Sequence, residues 1–347
     1  LTYLSQNHYD AKLYSLSEIQ GYILSCQDED GAIYWQEGEK LDPWDHTEAA
    51  MALSICGNTG AARKAFNWLR GKQLANGSWY ARYDRGVQNH NDQWKVETNF
   101  VAYPITGIWH HFLITRDVAF LNDYFPMVKA AANYILSQQR PEGDIQWALS
   151  EKETLPKDAL VAACSSILRS LECAIRIAEQ LNQRCVEWRN AYRRLADALL
   201  NRPWRFARTW ESKSRYSMDW FYPILAGIYT PEEARIRIEK QWSNFVAQDL
   251  GCRCVSDEPW VTTAESCELV IALISCGRKE KALELFKWLS QWKDKDQGYW
   301  TGYNFRDKVI WPEEKTSWTA AAIALAADAL FDLSPASTLF TRRSRII

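Results

Sequence analysis

Hydrophobic positions recur along this chain at helical spacing, in two alternating kinds of segment. The first kind carries one apolar stripe. Trp188, Tyr192, Leu195 and Leu199 form one such stripe, and Ile238, Trp242, Phe245 and Val246 form another. The second stripe is opened by Thr230 as a cap and Pro231 at the first helical position. The other kind is apolar nearly all round, as in Ala320 to Ala327 and Ser266 to Cys276. A helix of that kind is buried on every side, whereas a striped helix keeps one face in water. Striped segments fall near 15–27, 61–73, 126–139, 184–201, 231–248 and 279–292; apolar ones fall near 46–56, 97–111, 163–179, 216–228, 262–276 and 316–331. Strand signals are sparse and confined to loops. Six pairs in this order predict an all-α (α/α)6 toroid with buried helices inside and striped helices outside. A superhelical solenoid is the competing arrangement, but six pairs close a ring and neither end carries a polar capping repeat. We expect one domain over 1–335 and a C-terminal tail over 336–347.

A repeated phrase supports the array. Tyr22-Ile23 leads to Gln27, Gly31 and Trp35; Trp68-Leu69 leads to Gln73, Gly77 and Trp79; Tyr134-Ile135 leads to Gln139, Gly143 and Trp147. A degenerate copy runs from Trp288-Leu289 through Lys293, in the Gln place, to Gly298 and Trp300. A fixed internal phrase marks one supersecondary unit used several times. We read its Trp residues as packing.

In such a toroid every inner helix starts at the same rim, so chemistry collects in the loops leading into the inner helices. Five of those six loops hold a Trp close to a carboxylate. They contain Trp44, Asp45, His46 and Glu48; Trp94 and Glu97; Trp210 and Glu211, with Asp219 beyond; Asp257, Glu258 and Trp260; and Trp311, Glu313 and Glu314. Helix starts favour acids through the dipole alone. The dipole does not account for the Trp beside them.

Composition narrows the chemistry. The chain has 18 Trp, 16 Tyr, only five His and a formal net charge of −2. A balanced charge predicts no nucleic-acid partner. No apolar run is long enough to span a bilayer, and no signal-peptide pattern opens the chain. Nine scattered Cys read as reduced thiols, which predicts a cytoplasmic protein. His110-His111 lacks nearby acids, and Cys252-x-Cys254 reads as two loop thiols, so no metal or organic cofactor is implied. An acidic, Trp-walled pocket suits glycoside chemistry. One carboxylic acid protonates the leaving oxygen, and a second carboxylate, about 6.5–9.5 Å away in an inverting enzyme, activates water. Carboxyls crowded against Trp have raised pKa values, which suits the acid.

Two resemblances add to this reading. The segment Trp210-Glu211-Ser212-Lys213, leading to Tyr216-Ser217-Met218-Asp219-Trp220, resembles the general-acid segment of bacterial glucoamylase-type glycoside hydrolases. So does the stretch Ser266-Cys267-Glu268-Leu269 through Leu285-Phe286. This resemblance covers roughly residues 200–330 and implies Glu211 as general acid. The family's general base sits in a Glu-Glu-Tyr segment; this chain has Trp300-Thr301-Gly302-Tyr303 there. The base role then falls to Glu314, Glu313 or Asp45. Trp44, His46, Glu48, Trp94, Glu97, Trp210, Asp219, Asp257, Glu258, Trp260 and Trp311 are the expected substrate-binding residues. The Gln-Gly-Trp phrase resembles the QW motif of terpenoid cyclases and prenyltransferase β subunits, which carries over fold rather than activity.

Three functions follow in order. The first is an inverting glucoamylase-like hydrolase acting on an oligosaccharide or glycoconjugate. The second is an isoprenoid-handling relative of the cyclases, and the third a toroid that binds glycans without cleaving them.

Overall fold

The computed structural model describes residues 13–36, 38–87, 95–150, 157–344 and 346. Among the described residues twelve α-helices occur in six successive pairs: α1 (Leu16–Ser25) and α2 (Pro43–Ile55), α3 (Thr59–Lys72) and α4 (Thr98–Thr115), α5 (Val118–Ser137) and α6 (Val161–Gln180), α7 (Val186–Asn201) and α8 (Ser217–Leu225), α9 (Pro231–Phe245) and α10 (Thr263–Ser275), α11 (Lys279–Trp288) and α12 (Ser317–Phe331). The even-numbered helices pack in the order α2-α4-α6-α8-α10-α12, and α12 returns to pack on α2. The ring closes, and the fold is the (α/α)6 toroid.

The inner helices are buried along most of their length, as their all-round apolar sequences require. In α12 six of the eight residues over Ala320–Ala327 are alanine, and all eight are buried. The outer helices bury one stripe each, such as Trp188, Tyr192 and Leu195 on α7. Thr230 caps α9 through a reciprocal capping box with Glu233, and Pro231 opens it. Several boundaries differ from the pattern, two of them for a visible reason. Helix α5 begins at Val118, because the Asp117 carboxylate caps it by accepting from Phe120 N at 3.0 Å. Helix α9 ends at Phe245, where the chain turns into strand.

The strands are short and belong to the inter-helix loops: β1 (Lys40–Leu41), β2 (Tyr83–Asp84), β3 (Lys95–Glu97), β4 (Ala148–Ser150), β5 (Val246–Ala247), β6 (Gly251–Arg253), β7 (Trp260–Thr262), β8 (Gly302–Asn304) and β9 (Val309–Ile310). Strands β1 and β2 pair, as do β3 and β4, while β5 to β9 form an antiparallel meander flanking α10. No helix among the described residues is long and apolar enough to cross a membrane.

The repeated phrase is a stitch between outer helices. The Gln27 amide donates to Gly31 O at 3.2 Å and to Ala61 O of α3 at 3.1 Å. Gln73 does the same to Gly77 O and Met127 O of α5, both at 3.0 Å. Gln139 links Gly143 O to Ala191 O of α7, both at 2.9 Å. Lys293, in the Gln place, donates instead to Glu18 of α1 and joins the last outer unit to the first. The glycine is required by contact and conformation together. Gly77 has φ 91°, and a Cβ there would lie 2.4 Å from Ala130 O of α5. Of the Trp residues in the phrase, Trp79 is fully buried and donates to Leu69 O at 2.8 Å. Trp35, Trp147 and Trp300 are only half-buried, each under a lysine ammonium: Lys40 at 3.9 Å, Lys95 at 4.4 Å and Lys315 at 4.6 Å from the ring centroids.

Candidate active site

The N-terminal turns of the inner helices enclose a cavity of about 290 Å³ at one end of the toroid. Asp42, Trp44 and Asp45 come from α2 and its cap, Asn99 and Phe100 from α4, Ala162, Ala163 and Ser166 from α6, Met218 and Tyr222 from α8, and Trp318 from α12. Trp35, Thr301 and Glu314 arrive on loops.

Asp42 is the structural acid of this group. Its carboxylate accepts from Trp44 N and Asp45 N, both at 2.9 Å, and from Trp35 Nε1 at 2.9 Å. With Pro43 behind it, this is the N-cap of α2, a contribution of about 1 kcal/mol. Burial pushes its pKa up to about 6, against the pull of those hydrogen bonds. Asp45, three residues on, lines the same cavity. Among the described residues no side-chain hydrogen bond holds its carboxyl. Burial raises its pKa well above the usual carboxylate range, and the charges of Asp42, Glu48, Glu268 and Glu265 raise it further. The protonated form of Asp45 is thereby favoured.

The acids form two tiers. Asp45 and Glu48 are three residues apart on α2; Glu265 and Glu268 are three residues apart on α10. Residues at that spacing share one helix face, a turn apart. All four are buried, and the charges of both α10 carboxylates act on Asp45. Each member of the deeper tier is held by a tyrosine from a neighbouring inner helix. Tyr103 Oη donates to Glu48 Oε2 at 3.1 Å, and Tyr222 Oη donates to Glu268 Oε1. Burial raises Glu48 to about 7, while the Tyr103 hydroxyl and the Trp318 and Trp44 indoles pull it down. Burial and the charges of Glu48 and Glu265 hold Glu268 well above the usual range. Glu268 Oε2 is buried with no hydrogen-bond partner among the described residues, and so is Asn99 Oδ1 on the cavity wall. An unpaired buried acceptor is ready for a substrate hydroxyl.

Aromatic rings fix the walls. Trp44 stacks on Tyr103 with centroids 3.7 Å apart and an interplanar angle of 7°. A second cavity of about 340 Å³ adjoins the first through Ala162 and Met218. Its walls include Trp147, Trp210, Lys213, Tyr216 and Asp219, with Trp147 and Trp210 edge to face at 5.7 Å. Ala162 and Met218 are thus a wall common to the two cavities.

No protein-family model matches this chain. The MMP endo-(1,4)-3-O-methyl-alpha-D-mannosidase of Mycolicibacterium hassiacum is 42% identical to it over 318 residues, covering 92% of this chain and 86% of that protein. The chain belongs to this mannosidase's family. It is a glycoside hydrolase. Its fold is shared with distant solved structures. A glycosidase variant in complex with glucose superposes with a TM-score of 0.68 at 15% identity, over 93% of this chain and 98% of that one. A D-mannose isomerase gives a TM-score of 0.68 at 12% identity, over 96% and 99%.

Within the hydrolase, the structure gathers Trp44, Asp45, Glu48 and Glu314 at the central cavity or directly beneath it. Burial and the charge of Glu39 raise the Glu314 carboxyl. Trp210 and Asp219 line the adjoining cavity, where burial raises Asp219 to about 6 against the pull of Arg237 and Lys213. Glu97 sits at the α4 cap, paired with Lys95 at 2.6 Å, and its charge reaches Asp42. Other expected residues lie elsewhere. Glu211 and Glu313 are exposed on loops. Asp257 and Glu258 are exposed, with Arg215 forked onto Asp257 at 2.9 Å. Trp260 donates its indole N–H to Trp311 O at 2.7 Å, and Trp311 is exposed. His46 is fully buried away from the cavity. Its Nδ1 accepts from Ile33 N and its Nε2 donates to Ala65 O, both at 3.0 Å, so it clamps the first loop to α3 as a neutral ring. Trp94 lies outside the described residues.

Sequence reasoning passed over Trp35, Asn99, Tyr222, Glu265, Glu268 and Trp318 as site residues. The i, i+3 carboxylates inside an apolar helix are the signal for two of them. A buried helix does not carry such acids without a partner or a task.

Proposed function

We propose that this glycoside hydrolase cleaves internal α-1,4 linkages between 3-O-methylated mannose residues with inversion of configuration, Asp45 acting as general acid and Glu265 as general base. The observation that carries the assignment is the pair of carboxylate tiers on α2 and α10, with Asp45, its pKa raised by burial, on the cavity wall and Glu265 in the first turn of a different inner helix. Asp45 donates its proton to the glycosidic oxygen as the bond from that oxygen to the anomeric carbon breaks. Glu265 takes a proton from the water that attacks the same carbon from the opposite face. An α-linked substrate then yields a β-hemiacetal, and proton exchange with solvent resets both acids.

Substrate class rests on the 42% identical mannosidase and on the walls. Phe100, Ala162, Ala163 and Met218 offer apolar surface where a fully hydroxylated sugar would leave hydroxyls unpaired. Methyl ethers fill such surface favourably, at about 0.8 kcal/mol per buried carbon. The adjoining Trp147–Trp210 cavity gives room for further residues of the chain, which favours internal cleavage.

A second reading keeps Asp45 as acid and gives the base role to Glu314, which lines the same cavity directly. Both readings predict inversion. Proton NMR during cleavage of an α-1,4-linked 3-O-methylmannose oligosaccharide tests it: the β-anomer appears first if the reading is right, and an α-anomer appearing first rules inversion out.

A further inference from the structure

At the end of the toroid away from Asp45, the C-terminal parts of α4 and α6 and the segment following α12 enclose a separate cavity of about 550 Å³. The segment is tied across the ring. Arg342 O accepts from Arg169 Nη2 at 2.9 Å, and Ser344 N donates to Gly227 O at 3.0 Å.

Five arginines line this cavity, Arg116, Arg169, Arg176, Arg342 and Arg343, against two carboxylates, Glu172 and Asp332. Glu172 is already ion-paired. Glu172 pairs with Arg169 at 2.6 Å and with Arg176 at 3.8 Å, and Arg176 also reaches Glu179 at 3.1 Å. Asp332 accepts from the Ser337 hydroxyl. Among the described residues Arg116, Arg342 and Arg343 form no ion pair, and all three are exposed. Scattered surface arginines are ordinary solvated charges. Three outside any ion pair line one cavity, and each presents a planar fork of donors that fits oxyanions. A neutral sugar has no use for them.

We propose that this distal cavity binds a small polyanion, a ligand carrying two or more negative charges on phosphoryl or carboxylate oxygens. Its contacts are charge-assisted forks from Arg116, Arg342 and Arg343. The site is separated from the catalytic cavity by the buried Arg169 and the half-buried Phe340, both of which line the chamber beneath Glu48 and Glu268.

The test is calorimetric titration of the full-length protein with pyrophosphate and, separately, with citrate, at low and at physiological salt. An Arg116→Ala/Arg343→Ala double variant is run alongside; both side chains are exposed, and its hydrolysis rate checks that it is folded. We expect saturable binding of at least one anion, weakened by salt and weakened about tenfold or more in the double variant. Binding of pyrophosphate alone assigns a phosphoryl ligand, and binding of citrate alone a polycarboxylate. The absence of saturable binding by either anion up to about 10 mM, or equal binding by the folded double variant, overturns the proposal.

Discussion

Tyr103 on α4 donates its hydroxyl to the Glu48 carboxyl on α2 at 3.1 Å. The bond does more than join two inner helices. It pulls the pKa of Glu48 down, and the charge of Glu48 in turn raises the pKa of Asp45. A phenol on one helix thus influences the protonation of the acid on the cavity wall.

Replacing Tyr103 by Phe removes that pull. Glu48 then holds its proton to higher pH, presents less negative charge, and raises Asp45 less. The alkaline limb of kcat/KM, where the general acid loses its proton, shifts to lower pH. Glu48→Gln shifts it in the same direction and further. A pH–rate profile of the three proteins checks this, and an unmoved alkaline limb contradicts it.

Stability follows from two opposed sets of buried groups. Glu48, at about 7, and Asp42, at about 6, are raised by burial above their unfolded values near 4. Between those limits the folded protein holds protons that the unfolded chain releases, so each group destabilises the fold as pH rises through its window. His46 and His111, at about 4, and His110, at about 3, are depressed below the unfolded value of about 6.5. There the unfolded chain binds the extra protons, so stability falls as pH drops from about 6.5 toward 4. The raised carboxyls lower Tm as pH rises from about 4 toward 7, and the depressed histidines lower it as pH falls from about 6.5 toward 4, so the two sets oppose one another across that range. Glu48→Gln removes its share of the first slope, between about 4 and 7, and His110→Asn removes its share of the second. Thermal melts from pH 4 to 8 read both slopes.

The outer ring has its own test. Gly57 and Gly77 both have positive φ, at 80° and 91°, but a Cβ on Gly57 meets nothing within 4 Å while one on Gly77 meets Ala130 O at 2.4 Å. Gly57→Ala then costs the conformational term, about 1 kcal/mol. Gly77→Ala forces α5 away from the loop as well and costs about 3 kcal/mol or more. Urea denaturation of both variants separates the two contributions.

Trp210 forms one wall of the adjoining cavity, edge to face with Trp147. If that cavity holds further sugars of the chain, Trp210→Ala raises KM for long oligosaccharides by about tenfold, the loss of one stacking contact, and leaves the shortest cleaved substrate nearly unaffected. An equal effect at every chain length contradicts the assignment.

The architecture was legible because it repeats. Alternating striped and all-apolar segments specify inner and outer helices locally, and the Gln-Gly-Trp phrase recurs because each copy makes the same pair of hydrogen bonds. The location of the candidate cavity was legible too, since Trp44, Asp45 and Glu314 lie in loops or first turns entering inner helices, with Glu48 one turn further in. Glu265 and Glu268 were harder to find. They become relevant only when α10 packs on α12 and α12 on α2, a closure between segments some two hundred residues apart that no local pattern records. His46 shows the converse: it stands beside Asp45 in sequence, but one step around the helix turns its ring outward onto α3, where Ile33 and Ala65 use both nitrogens. Exposure separates Glu211 from the buried acids, and sequence spacing gives no measure of exposure.

The account turns on Asp45 and Glu265. The most direct measurement is the kcat of Asp45→Asn and Glu265→Gln on an α-1,4-linked 3-O-methylmannose oligosaccharide, with Glu314→Gln and Glu211→Gln as comparisons and circular dichroism to confirm folding. The first two variants are expected to lose about a hundredfold to ten-thousandfold in kcat, while Glu211→Gln stays within a few-fold of the unmodified protein. A folded Asp45→Asn that retains full activity contradicts the account outright. A folded Glu265→Gln that retains it while Glu314→Gln is inactive moves the base to Glu314.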